Sequence, residues 1–193
     1  MKSILTMNRV ALVTGASAGI GLELAKALAS KLDSLIVIAR RIDRLQQLSA
    51  ELQSRYPSLN ILVEAADLSH PEAVQSLLER LNAHDRNVDI LVNNAGLGES
   101  ELFEHSPWSR IRQIVELNVL AMLRLTHYLL PAMIRRRHGA ILNRLRSGIC
   151  RHVECCCLHS FQTLRASIYR IAACSTGRYG YQRLRSRTRT GCH

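Results

Sequence analysis

Apolar positions change their spacing repeatedly along the first 143 residues. Val10 to Val13 is a short apolar run, and Leu35-Ile36-Val37-Ile38-Ala39 is another. Runs of this length without polar alternation suit strands buried on both faces. Between them, Leu22, Ala25, Leu28 and Ala29 fall on one side of a helix predicted from Gly19 to about Ser30. Ile42, Leu45, Leu48 and Leu52 recur at spacings of three and four and predict a second helix over 42–55, stopped by Pro57. A third strand is expected over Asn60 to Ala65. Ser69-His70-Pro71-Glu72 reads as a helix start with proline in the first turn, and that helix runs to about Ala83. Val88 to Asn93 reads as a fourth strand. Residues 107–137 read as one long helical region, closed by Arg135-Arg136-Arg137 with Gly139 just beyond. Cations in a last turn and a following glycine suit a helix C-terminus. Ala140 to Asn143 opens a fifth strand. This alternation predicts an α/β fold, a parallel sheet with helices on both faces and right-handed crossovers.

The pattern stops at Asn143. Residues 144–193 show no sustained period of two or 3.6. Composition breaks at the same place. Residues 1–143 carry 16 Lys and Arg against 14 Asp and Glu, whereas residues 144–193 carry 10 Arg, no Lys and one acid, Glu154. The net charge of +11 therefore sits mostly in the last 50 residues. All six cysteines (150, 155, 156, 157, 174 and 192) lie there too. The chain divides into an α/β unit over 1–143 and an aberrant Arg/Cys-rich segment over 144–193, expected to be disordered or poorly packed. No apolar run reaches the ~18–20 residues of a membrane span. The start, Met1 to Met7, has no apolar segment with a small-residue cleavage site, so no signal peptide is expected.

Thr14-Gly15-Ala16-Ser17-Ala18-Gly19-Ile20-Gly21 joins the first strand to the first helix. A glycine-rich turn in that context makes a phosphate cradle. Gly15 permits a tight turn, Gly19 lets a pyrophosphate approach the backbone, and Gly21 lets helix and strand pack closely. The helix N-terminus adds N–H donors and partial positive charge. The bland alternative is an ordinary glycine-rich turn. Arg40 and Arg41 follow the second strand, where such folds read the adenine ribose. An acid there suits NAD, and arginine suits the 2′-phosphate of NADP, so NADP is expected before NAD. Arg41 also reads as a solvated helix start. Asp67-Leu68 follows the third strand and is read either as a contact for adenine or as a helix cap. Asn93, Asn94, Ala95 and Gly96 follow the fourth strand at the same edge. Asn118 is polar in an apolar helical stretch, and a buried amide needs partners. It is either structural glue or an organiser of an active site.

These segments resemble the short-chain dehydrogenase/reductase family over residues 9–143. The matching pieces are TGASAGIG (14–21), ARR (39–41), DL (67–68), NNAG (93–96), ELN (116–118) and GAILN (139–143). The resemblance implies a Rossmann-like doubly wound sheet, with Gly15, Ser17, Gly19, Ile20, Gly21, Arg40, Asp67, Leu68, Asn94, Ala95 and Gly96 holding NADP. It implies hydride transfer between small-molecule carbonyls and alcohols. In the family the chemistry uses a Ser, a Tyr and a Lys after the fifth strand, with an Asn on the long helix. The Tyr donates a proton, the Lys lowers its pKa, the Ser polarises the carbonyl and the Asn fixes a water relay. Only Asn118 carries over. Tyr128, Tyr169, Tyr179 and Tyr181 are followed four residues on by Ala132, Ala173, Arg183 and Arg185, and no lysine follows Lys31. The chain is therefore expected to be catalytically impaired and cytoplasmic. The family's oligomer face is expected to be lost.

The tail itself is read as a frameshift. Codons can be chosen from Arg144 onward so that the adjacent frame encodes a serine, a Tyr-x-x-x-Lys, an amphipathic helix and a Pro-Gly-Pro-Val turn at the family's spacings. The tyrosine codon would straddle Leu158 and His159, and the lysine codon Gln162 and Thr163. Under this reading the C-terminal part of the fold is truncated and irregular. Two other readings of the tail are weak. Cys155-Cys156-Cys157 with Cys150, His152 and His159 lacks the spacing by which metal ligands converge, so no metal is expected. The run Arg183 to Arg189 has no interleaved aromatics, so no specific nucleic-acid partner is expected. A noncatalytic protein that binds NADP, or polyanions through this basic tail, remains the alternative function.

Overall fold

The computed structural model describes residues 9–83, 87–98, 103–144, 167–171 and 181–184. Met1 to Met7, Glu99, all six cysteines, His152 and His159 lie outside the described residues, as does most of the 183–189 arginine run.

Strands and helices alternate as β1 (Val10–Thr14), α1 (Gly19–Ala29), β2 (Ser34–Ala39), α2 (Ile42–Arg55), β3 (Asn60–Ala65), α3 (Pro71–Ala83) and β4 (Ile90–Asn93). They continue through α4 (Trp108–Val115), a π-helical segment (Glu116–Ala121), α5 (Met122–Arg136) and β5 (Gly139–Asn143). The sheet order is β3-β2-β1-β4-β5, all parallel. This is the expected doubly wound sheet. Two strands with no period in the sequence extend it past β5. β6 (Ser167–Ile171) pairs antiparallel with β5, and β7 (Tyr181–Leu184) antiparallel with β6.

β1 and β2 are apolar at nearly every position because their residues face two cores. Val10 and Leu12 of β1, with Ile36 and Ile38 of β2, pack with Val74 and Leu77 of α3 and Leu125, Leu129 and Met133 of α5. Ala11 and Val13, with Leu35 and Val37, pack with Ala25 and Ala29 of α1 and Leu45, Leu48 and Leu52 of α2. Alternate residues of one strand thus serve opposite helical layers.

The helical stretch Trp108–Arg136 contains a segment long and apolar enough to cross a membrane, although no uninterrupted apolar run of that length is present in the sequence. Its seam of Ile114, Asn118, Ala121, Leu125, Leu129 and Met133 is buried. Leu125, Leu129 and Met133 belong to the α3 side of the core. At the end of α5 the left-handed residue is Arg137, with φ 53°. Gly139 is instead needed because a Cβ there would meet the Met133 side chain at 2.8–2.9 Å. Arg136 ties this end to β4, donating to the Asn87 side chain at 2.7 Å, the Val88 carbonyl at 2.8 Å and the Asp89 carboxylate at 3.4 Å. The other Asp89 oxygen accepts the Val10 N–H at 3.0 Å.

Candidate functional site

A cleft of about 590 Å³ runs along the C-terminal edge of the parallel strands. Parallel sheets collect their loops at this edge, which is where open α/β folds bind ligands. Ten of the eleven cofactor residues expected from the sequence line it: Gly15, Ser17, Gly19, Ile20, Arg40, Asp67, Leu68, Asn94, Ala95 and Gly96.

The eleventh, Gly21, lies behind the cleft. A Cβ on Gly21 would stand 2.3 Å from both the Gly15 carbonyl oxygen and Asn94 Nδ2. Its hydrogen lets α1 sit against the turn. Gly15 has φ 68°, and its Cβ position is 2.9 Å from Ala95 Cα. The Gly15 and Ala16 N–H groups donate to the Ile38 carbonyl at 2.7 and 3.2 Å, which folds the turn onto β2. Gly19 has φ 58° and nothing within 4 Å of its Cβ position. Ala18 begins α1 with no side-chain cap. Open space over an uncapped helix N-terminus fits a diphosphate, whose oxygens accept the first-turn N–H groups.

Thr14 ties this turn to the β4 edge, a role not drawn from the sequence. Its hydroxyl donates to the Val92 carbonyl at 3.2 Å and accepts the N–H groups of Asn94 and Ala95 at 3.0 and 2.9 Å. The Asn94 amide donates to the carbonyls of Thr14 and Gly15 at 3.1 and 3.3 Å. Asn93 donates to Asn143 Oδ1 at 2.8 Å and to Thr126 Oγ1 at 3.2 Å. The two asparagines thus brace the backbone that lines the cleft.

At the β2 end the charges gather. Arg40 stands 3.9 Å from Asp67, a loose and partly exposed pair worth little by itself. Arg41 donates to Ser17 Oγ at 3.3 Å and lines the cleft as well. Arg41 is also exposed at the start of α2, as the solvated-helix reading expected, and that reading does not include the Ser17 contact. The available signal was a second arginine beside the first, opposite a serine in the glycine turn. Asp67 does both things the sequence left open. Its Oδ1 accepts the Ser69 N–H at 3.0 Å and hydroxyl at 2.7 Å before α3, while the residue also lines the cleft. Burial raises the Asp67 pKa, but the two Ser69 bonds, Arg40 and His70 outweigh it and leave it below the usual carboxylate value.

Asn118 sits in the π-helical segment, buried. Single π turns recur at functional sites. Here the Asn118 amide donates to the Leu97 carbonyl at 2.8 Å, and its carbonyl accepts the Leu97 N–H at 2.9 Å. The side chain clamps the loop after β4, and Leu97 in turn lines the cleft. Further along the same loop, the Gly98 carbonyl accepts from Arg110 at 3.0 Å. Arg144 also lines the cleft, its N–H donating to the Asn93 carbonyl at 2.8 Å. Among the described residues of the cleft there is no tyrosine and no lysine. No cluster of metal-ligating side chains occurs among the described residues.

Residues 9–150 match the family model for short chain dehydrogenases. Nodulation protein G of Rhizobium sp. (strain N33) is 38% identical over 136 residues, 70% of this chain and 54% of that protein. The 3-oxoacyl-(acyl-carrier-protein) reductase of Escherichia coli (strain K12) is 34% identical over 135 residues, 70% of this chain and 53% of that protein. Among solved structures, the short-chain dehydrogenase of Sphingobium yanoikuyae in complex with NADPH superposes with a TM-score of 0.65 at 32% identity, covering 69% of this chain and 52% of that one. The L-sorbose reductase of Gluconobacter frateurii, complexed with NADPH and L-sorbose, gives 0.64 at 35% identity, covering 69% and 51%. The chain spans about half the length of these relatives. By sequence and by fold, the chain belongs to the short-chain dehydrogenase/reductase family.

Proposed function

We propose that the cleft binds NADP(H) and that this chain carries the binding half of a carbonyl/alcohol oxidoreductase without its proton-transfer half. The observation that carries the binding half is the grouping of Ser17, Arg40 and Arg41 beside an open, uncapped helix N-terminus. A 2′-phosphate needs donors and cations at the end of β2, and a diphosphate needs N–H groups over Gly19. Both are present on one edge. NADPH in such a cleft supplies a hydride for a carbonyl carbon. Reduction also requires a proton donor at the carbonyl oxygen, and no tyrosine of the sequence has the lysine four residues on that the family uses to tune it. The NADPH-bound relatives support the cofactor choice. The shifted-frame reading accounts for the missing Ser, Tyr and Lys. Genomic codons incompatible with that frame would dismiss it.

The test is nucleotide binding to the full chain. NADPH and 2′,5′-ADP are expected to bind better than NADH and 5′-AMP. Replacing Arg40 and Arg41 by Gln should weaken the first pair about tenfold or more while sparing the second, the loss typical of charge-assisted phosphate contacts. Equal loss for all four ligands would remove the 2′-phosphate assignment. NADPH oxidation over a panel of ketones and aldehydes should stay at background, and sustained turnover would overturn the impaired-enzyme reading. The concentrated charge of residues 144–193 favours one second reading, a polyanion-binding tail. Unchanged heparin affinity after deletion of 145–193 would exclude it.

A further inference from the structure

Resting on the NADP(H) reading above, we propose that Arg144 makes the cleft select the reduced cofactor over the oxidised one. The sheet order sets Arg144 apart from the 2′-phosphate cluster. Arg40 follows β2, Arg144 follows β5, and β1 and β4 lie between them. The two arginines therefore flank the cleft about 14 Å apart, at three strand spacings. The phosphate cradle of residues 15–20 lies between, at the end of β1.

A dinucleotide whose 2′-phosphate end lies at Arg40 and whose diphosphate crosses the cradle has only one group left for the β5 end, the nicotinamide riboside. That ring is cationic in NADP+ and neutral in NADPH. Arg144 lines both the cleft and the small recess behind it formed by Thr14, Leu117, Asn118 and Met122. Its backbone is held by the 2.8 Å bond to the Asn93 carbonyl, so the residue is tied to the strand edge. Among the described residues, no carboxylate pairs with it. Among the described residues lining the cleft the one acid, Asp67, stands at the opposite end with Arg40. A guanidinium beside the ring position, with no carboxylate partner among the described residues, repels the oxidised ring and leaves the reduced ring unaffected. In a half-open cleft such a like-charge pair is worth on the order of tenfold in affinity.

Dissociation constants for NADPH, NADP+ and 2′,5′-ADP on the full chain test this, measured by calorimetry at low ionic strength. The wild-type chain should favour NADPH over NADP+. Arg144→Gln should shrink that preference about tenfold, by tightening NADP+ while leaving NADPH and 2′,5′-ADP unchanged. Arg144→Lys keeps the charge and should keep the preference. Added salt should narrow the gap in the wild-type chain and not in Arg144→Gln. An unchanged ratio in Arg144→Gln overturns the proposal. So does an equal loss for both dinucleotides, which would place Arg144 on the diphosphate. Failure of 2′,5′-ADP to bind the wild-type chain would instead sink the cofactor reading itself, and this proposal with it.

Discussion

Gly21→Ala offers a sharp test of how the glycine turn is built, because local propensity and packing oppose each other there. Gly21 lies inside α1, so alanine gains about 1 kcal/mol from helix propensity and reduced unfolded-state entropy. Packing works the other way. The new Cβ would stand 2.3 Å from the Gly15 carbonyl oxygen and 2.3 Å from Asn94 Nδ2. The first is backbone in a turn fixed by its bonds to Ile38, and the second is a side chain held by Thr14 and Gly15. Neither is the loose end of a flexible group. Overpacking of this kind costs about 1–3 kcal/mol, and disturbing the Asn94 bonds adds about 1 kcal/mol. The net loss is about 2 kcal/mol, which lowers Tm by about 4–8 °C for a chain of this size. Urea unfolding of the parent, Gly21→Ala, Asn94→Ala and the double variant reads the mechanism as a cycle. One of the two contacts is to Asn94, so the pair should couple by about 1 kcal/mol. Gly19→Ala is the control. Its Cβ meets nothing, and it loses only the cost of φ 58°, about 1–2 kcal/mol, additively with Asn94→Ala. A Gly21→Ala chain as stable as the parent, or strict additivity with Asn94→Ala, would refute the packing argument.

Asn118→Ala leaves the Leu97 N–H and carbonyl without their partners and should cost about 2 kcal/mol, with faster amide exchange at Leu97. Asn118→Asp should do less harm to the N–H contact than to the carbonyl contact, which then faces a carboxylate. Asp67 has a lowered folded-state pKa, so its stabilising contribution is complete above its ordinary value of 3.8 and fades as pH falls through the lower folded value. Asp67→Asn should therefore flatten the acid side of a stability–pH curve and leave the slope near pH 7 untouched. Arg136→Met strips the Asn87, Val88 and Asp89 contacts and should cost about 2 kcal/mol, whereas Arg136→Lys should recover part of it. A Met variant with parental stability would show that the end of α5 is held by Met133 and Leu129 packing alone.

Most of the parallel fold was legible because burial on both faces leaves a strong signal. Val10 to Val13 and Leu35 to Ala39 are apolar at every position, and the helical stripes of α1 and α2 match the layer they cover except at Ile42, which is exposed. The lining of the cleft was legible because a phosphate cradle needs glycine at particular backbone positions, and those positions follow a strand. What escaped was contact between side chains distant in sequence. Nothing in a linear pattern brings Arg41 to Ser17, 24 residues away, or Thr14 to Asn94, 80 residues away. The π turn was also hidden. One extra residue shifts the phase by only a fraction of a turn, and the apolar run around Asn118 masks the shift. Gly139 was misread for a related reason. A glycine after a helix suggests a left-handed cap, but Arg137 takes that conformation and the glycine answers to Met133. β6 and β7 had no readable period, since an added edge hairpin draws on backbone pairing with β5.

The placement of these residues separates binding from turnover in physical terms. Everything that would hold a dinucleotide comes from turns following β1 to β4; the glycine turn is set by bonds among Thr14, Gly15, Ile38, Asn94 and Ala95, and the loop after β4 is clamped by Asn118. Thr14, Asn94 and Gly21 lock the cradle without any residue beyond β5. The groups that would move a proton follow β5 in the family, and it is there that charge, cysteine content and period all change in this chain. The cleft can therefore retain its shape while the position beside its β5 end is taken by Arg144. An arginine at that position can bias which redox state of the cofactor is held, but it cannot serve as the acid that completes a reduction. Selection of NADPH without consumption of NADPH is the behaviour this arrangement favours. It is also the combination that neither an intact reductase nor an unfolded remnant would show.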